Sequence, residues 1–162
     1  MGYTTEFDGS VSINPPLNPA EIAYLNKFAD VRHMKRTKGP YFVDGSGDFF
    51  SKRDDDIIDH NRPDESQPGL WCQWIVNESG TEIEWDGGEK FYSSDEWMEY
   101  IIDHFLKPNA IASKSGDSQF KDFTFDHVVN GEIRAYGEEN DDRWTLVVDN
   151  NNVTTRQAQI VW

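Results

Sequence analysis

The chain has 162 residues, 36% of them hydrophobic and 14% aromatic, with 30 acidic against 15 basic residues and a formal net charge of −15. That length suits one domain burying roughly two-thirds of its unfolded surface, built on a few large side chains. The charge disfavours nucleic acid and anionic membrane as partners for the surface as a whole and favours a basic protein, no apolar run approaches the roughly 18 residues of a membrane span, and the single Cys excludes an internal disulfide and a Cys-based zinc site.

Met1 to Val11 lacks the basic start and apolar run of a signal peptide, so a cytoplasmic location is expected. Thr4 to Ile13 reads as a strand or a short hairpin turning at Asp8-Gly9. Pro15-Pro16 ends it, and Asn18-Pro19-Ala20-Glu21 carries the capping-box signature of a helix start. Ile22, Leu25, Phe28 and Ala29 follow at helical spacing, ending near His33.

Residues 35–68 form a long polar loop, basic at Lys35, Arg36 and Lys38, acidic at Asp54, Asp55, Asp56, Asp59, Asp64 and Glu65. A loop of this length is functional or partly disordered. Its two charge blocks can pair with each other, and a short helical turn fits Asp55 to His60.

Leu70 to Val76 reads as a central strand because both of its faces are mostly apolar. A turn at Asn77 to Gly80 returns the chain through Thr81 to Trp85, with Ile83 and Trp85 inward. Ser93-Ser94-Asp95-Glu96 predicts a capped second helix with Trp97, Ile101 and Phe105 as its buried stripe, stopped by Pro108. A polar loop over Ala110 to Lys121 follows. Phe123 to Val129, Asn130-Gly131 and Glu132 to Tyr136 read as a hairpin, and Trp144 to Val148 with Val153 to Val161 as another. The predicted fold is a single α+β domain: an antiparallel sheet of about six strands with two helices on one face, a ferredoxin-like βαββαβ start and C-terminal hairpins.

Four of the six Trp residues lie between Trp71 and Trp97. Pro68-Gly69-Leu70-Trp71-Cys72-Gln73-Trp74, Ile83-Glu84-Trp85-Asp86-Gly87-Gly88-Glu89-Lys90-Phe91-Tyr92 and Glu96-Trp97-Met98-Glu99-Tyr100-Ile101-Ile102 together resemble a family of small uncharacterised acidic proteins of bacteriophage and bacterial genomes. The opening Gly2-Tyr3-Thr4-Thr5-Glu6-Phe7, Asn61-Arg62-Pro63 and Asn130-Gly131-Glu132 are similar to that family too. The resemblance implies a phage or mobile-element setting and transfers no activity onto particular residues.

Two rows of carboxylates are the candidate partner-binding residues. Glu82, Glu84 and Asp86 recur every second residue on one strand face, roughly 7 Å apart. Asp95, Glu99 and Asp103 recur every fourth residue on the second helix, about 6 Å apart along its axis. Such rows imitate a nucleic-acid backbone and suit the basic groove of a nucleic-acid-binding host protein; the competing reading is a solvated face.

An alternative ligand site lies between the 60–63 loop and the Gly87-Gly88 turn. His60, Asn61, Arg62, Glu89 and Lys90 are its candidates, joined by Asp86 if the protein is an enzyme. The glycine pair can also serve as a tight turn or expose N–H groups to an anion. Asp44-Gly45-Ser46-Gly47-Asp48 matches a calcium loop poorly, with Phe49 where Gly is needed. His33, His60, His104 and His127 show no ligand spacing, and Cys72 reads as a buried inert thiol. No catalytic set, metal motif or cofactor motif stands out, so the expectation is a non-catalytic interaction protein without a cofactor, with a small-ligand protein or enzyme as the alternative.

Overall fold

A computed structural model describes residues 2–44 and 56–158. Six strands form one antiparallel sheet: β1 (Glu6–Asn14), β4 (Trp74–Val76), β5 (Glu82–Trp85), β6 (Val128–Tyr136), β7 (Arg143–Asp149) and β8 (Asn152–Gln157). Their spatial order is β4-β5-β1-β6-β7-β8. The first four positions are the order of a ferredoxin-like sheet, and the last hairpin extends it. Helix α1 (Pro19–Asp30) follows β1, and α2 (Ser94–Ile101) follows β5. A separate two-stranded ribbon, β2 (Lys35–Arg36) with β3 (Ile57–Asp59), lies in the former loop region.

Alternation decides where the core sits. Val11 stands opposite Ile83 on one side and Gly131 on the other, and Ile83 stands opposite Val76. Phe7, Val11, Ile13, Trp74, Ile83, Val129, Ile133, Leu146 and Val148 therefore share one face, and all are buried. The helices supply the other half of that core through Tyr24, Leu25 and Phe28 of α1 and Trp97, Met98 and Ile101 of α2. Both lie on this single buried face, as expected of an antiparallel sheet with one wet side.

The α1 capping box forms. Asn18 Oδ1 accepts from the Glu21 N–H, and Glu21 Oε1 accepts from the Asn18 N–H, each at 2.9 Å. Helix α1 ends at Asp30, three residues before His33. Further along α1, the Asn26 amide is bonded to one residue of β4. Its Oδ1 accepts from the Val76 N–H at 3.0 Å and its Nδ2 donates to the Val76 carbonyl at 3.3 Å.

Several expectations are corrected. Asn130-Gly131 makes no hairpin: β6 runs straight through it, paired to β1. Gly131 is required for another reason, because a side chain there would begin 2.9 Å from the Val11 Cα. Asp8-Gly9 likewise lies inside β1 and makes no turn. Leu70 to Val76 is not a central strand; only Trp74–Val76 is strand, and β4 has β5 as its single neighbour. Its second apolar face is explained by Ile75, which shares a shallow depression with Ala23 and Asn26 of α1.

The second helix also lacks the expected capping box. Ser93 is left-handed at φ 57° and makes no side-chain cap. At its other end, α2 passes into a π turn over Ile102–Leu106, closed by the Lys107 N–H to the Ile102 carbonyl at 3.1 Å. Ile57–Asp59 is strand where a helical turn was expected. The charge blocks do pair. Arg36 meets Asp56 at 3.1 Å with side chains only 4% and 8% exposed, and Lys35 meets Glu65 at 3.2 Å. Gly45 to Asp48 of the calcium-loop reading lies outside the described residues.

Candidate functional site

The two carboxylate rows fall on opposite sides of the molecule. Glu82 and Glu84 point away from the helices, because Ile83 between them points into the core. Their neighbours on β1 are Ser12 and Ser10, and Ser10 Oγ donates to Glu82 Oε1 at 3.0 Å. The same register places Asp8 beside Arg134 and Ser10 beside Glu132 on this outer face, with Glu6 beyond them. No described helix covers it. Arg134, Arg143 and Arg156 are its cations; Arg143 lies over the Tyr136 ring beside Glu6, and Arg156 already meets Glu132 at 3.4 Å. Asp86 continues the row, but its Oδ1 is held by the Gly88 N–H at 2.7 Å.

The helical row belongs to the other layer and is broken. Glu99 is exposed on α2, whereas Asp103 lies in the π turn and is paired to Lys107 at 2.9 Å. Glu96, Glu99 and Asp103 line a groove of about 240 Å³ with Tyr100 and His104. Asp95 is not among its lining residues. His104 stacks on Tyr100 at 3.8 Å and its Nδ1 meets the Tyr41 hydroxyl at 2.5 Å. Burial lowers the His104 pKa to about 4, so the ring is neutral at pH 7. The same cause raises Tyr41 to about 12, so that hydroxyl is no ready base.

The alternative site is only partly assembled. A groove of about 520 Å³ is lined by Gly69, Leu70, Trp71, Gln73, Glu89, Lys90 and Tyr92. It gathers Glu89 and Lys90 from the predicted set, but His60, Asn61 and Arg62 are not in its lining. Those three stand at the β3 end: the Asn61 N–H donates to Asp59 Oδ1 at 2.9 Å, Arg62 approaches Asp59 at 3.7 Å, and the His60 carbonyl accepts from Arg32 Nε. The anion reading of the Gly87-Gly88 turn loses one of its two glycine donors, since the Gly88 N–H is already given to Asp86.

A third cluster was missed. Glu21 and His127 are 0% and 1% exposed and meet at 2.8 Å. His127 Nδ1 faces the Pro15 carbonyl at 2.6 Å, which can only accept, so that nitrogen carries a proton. Nε2 faces the Glu21 carboxylate and, at 3.1 Å, Thr124 Oγ1, whose own proton goes to Asp126 at 2.6 Å. With Glu21 ionised both nitrogens are donors, an arrangement that favours the imidazolium. Its pKa is raised: desolvation pulls down, but the hydrogen bonds to Glu21 and Pro15 and the Glu21 charge outweigh it. Glu21 was legible only as a cap; nothing in the sequence signalled a partner 106 residues away.

Cys72 is fully buried and its thiol is pushed up to about 12 by desolvation. Among the described residues no three His, Cys, Asp or Glu side chains are placed to hold a metal ion, and no helix is long and apolar enough to cross a membrane. Searches of family models, curated proteins and solved structures return no match to this chain.

Proposed function

We infer that this is a non-catalytic interaction protein, of phage or mobile-element origin, that docks a basic host protein on the uncovered face of its sheet. One observation carries the reading: Glu82, Glu84, Asp8, Glu6 and Glu132 stand on the side of the sheet that no described helix covers. A rigid sheet holds carboxylates at fixed spacing, so a basic groove meets a charge pattern that needs no ordering on binding. A nucleic-acid-binding protein is the natural class of target, because its groove is already shaped for spaced negative charge. The helical row is not part of this surface.

The test is affinity capture from host lysate at low and high salt, run with two charge-reversed variants. Glu82→Lys with Glu84→Lys alters the sheet face; Asp95→Lys with Glu99→Lys alters the helix. The expected result is one basic protein retained at low salt by the wild type and the helix variant, and lost by the sheet variant. Retention by the wild type and both variants, or loss with the helix variant alone, refutes the assignment to the sheet face.

A further inference from the structure

The last hairpin ends the sheet on an edge that no described strand covers. Its turn, Asn150-Asn151, is left-handed at φ 46° and 73°, the two-residue form whose twist suits a hairpin. Side chains pin this turn to the chain around β6. Asn151 Oδ1 accepts from the Val129 N–H at 2.7 Å, Asn151 Nδ2 donates to the His127 carbonyl at 3.1 Å, and Asn130 Oδ1 accepts from the Asn150 N–H at 2.8 Å. The register of β7 with β8 then runs unbroken from Asp149 opposite Asn152 to Trp144 opposite Gln157. β8 is therefore held in place before any partner arrives.

Alternation decides which backbone groups of β8 stay open. The Ala158 N–H donates to the Arg143 carbonyl at 3.0 Å, so the even-numbered residues of the strand turn their N–H and C=O groups toward β7. Val153, Thr155 and Gln157 turn theirs outward, and among the described residues no hydrogen bond reaches those groups. Helix α2 comes against β8 on the core side, yet Thr155 and Gln157 remain exposed. Proteins blunt such an edge with Pro, Lys, an inward-pointing charge or a bulge. Asn152–Gln157 has none of them; its single charge, Arg156, lies on the outer face and is tied to Glu132.

Charge and register select the occupant. A net charge of −15 keeps copies of this chain apart over most of their surface. No acidic residue follows Asp149, so β8 offers two copies an approach free of opposed carboxylates. Two β8 strands laid antiparallel about Thr155 are also self-complementary, as a two-fold contact requires. Thr155 then faces its own copy, Val153 faces Gln157 and Thr154 faces Arg156, so no like charges stand directly opposite. In that register every open N–H and C=O of Val153, Thr155 and Gln157 meets a partner. We propose that β8 pairs with β8 of a second copy, joining two six-stranded sheets into one. A strand of 6 residues buries less than a permanent dimer needs, so the association is weak and depends on concentration. The two-fold runs through the joined sheet and leaves both uncovered faces on one side of it. The pairing is separate from the host-protein reading and stands or falls independently of it.

Sedimentation velocity on the full chain, from micromolar to near-millimolar concentration and at low and moderate salt, tests the proposal. The mass should rise from monomer to dimer with concentration, and more readily once salt screens the net charge. Amide hydrogen exchange read by NMR should slow at Val153, Thr155 and Gln157 as the dimer forms, and change little at Thr154 and Arg156, which already bond to β7. Thr155→Pro removes an outward N–H without touching the ladder to β7, and should leave a folded monomer. Thr155→Lys is the second variant. It lowers the net negative charge, so general repulsion falls, yet it sets two ammonium groups directly opposite each other; it should abolish the dimer with Tm unchanged. A monomer at every concentration, a dimer indifferent to both substitutions, or exchange protection that misses these three amides overturns the proposal, the first outcome leaving the edge to an extended segment of another chain.

Discussion

Replacing His127 by Ala leaves the Glu21 carboxylate fully buried and without its cationic partner. Two backbone donors remain, the Asn18 N–H at 2.9 Å and the Thr124 N–H at 3.4 Å. Breaking a fully buried ion pair from one side costs about 3–5 kcal/mol. For a domain of this size each kcal/mol moves Tm by roughly 2–4 °C, so Tm should fall by about 6–20 °C. The pair also makes stability depend on pH. The folded-state pKa of His127 lies above its ordinary value of 6.5, so the folded protein keeps the proton longer than the unfolded chain. The stabilisation is complete below about pH 6.5 and is lost as pH rises through the folded value. Thermal unfolding followed by tryptophan fluorescence between pH 5.5 and 9 reads both effects. The wild type should lose stability above pH 6.5, and the gap between wild type and variant should narrow. Glu21→Gln with His127→Ala should be less damaged than His127→Ala alone, since no charge is then stranded. A cost below about 1 kcal/mol for His127→Ala, or a wild type indifferent to pH over this range, refutes the imidazolium assignment.

Gly131→Ala should destabilise the protein by more than about 2 kcal/mol, because the new methyl begins 2.9 Å from Val11 Cα at φ 145°; chemical denaturation measures it. Cys72 should resist Ellman's reagent at pH 8 in the folded protein and react at once in denaturant, given its full burial and a thiol pushed up to about 12.

The parts of the fold legible in the sequence were those with local causes. Asn18, Pro19 and Glu21 announced α1 because a capping box is complete within four residues. Alternation around Ile83 announced β5 and its outward carboxylates. Errors came where one local pattern serves two purposes. Asn130-Gly131 is a turn signature, yet here the glycine is needed for close approach to β1, a contact no local window contains. Ser93 to Glu96 spells a capping box, yet Ser93 is left-handed after a loop that began at Gly87. For the candidate site, alternation turned Trp71 away from Trp74 but onto the second apolar face of an expected central strand, whereas residues 70–73 are not strand and Trp71 is exposed. Tyr92 and the pairing of Glu21 with His127 had no such signal, because they depend on contacts across the chain. The long loop was read as one unit, but Arg36 and Asp56 close it through a pair 20 residues apart.

The two hydrogen bonds from Asn26 to Val76 reach beyond the stability of α1. A terminal strand normally offers unpaired N–H and C=O groups to any other chain, and so invites aggregation. Here one side-chain amide occupies both backbone groups of Val76, doing for β4 what a further strand would do. The rim of the sheet beside Trp74 therefore has one fewer pair of backbone groups open to a second chain. The carboxamide of residue 26 matches a peptide group, whereas Asp in its place would repel the Val76 carbonyl and Ala would leave both Val76 groups open.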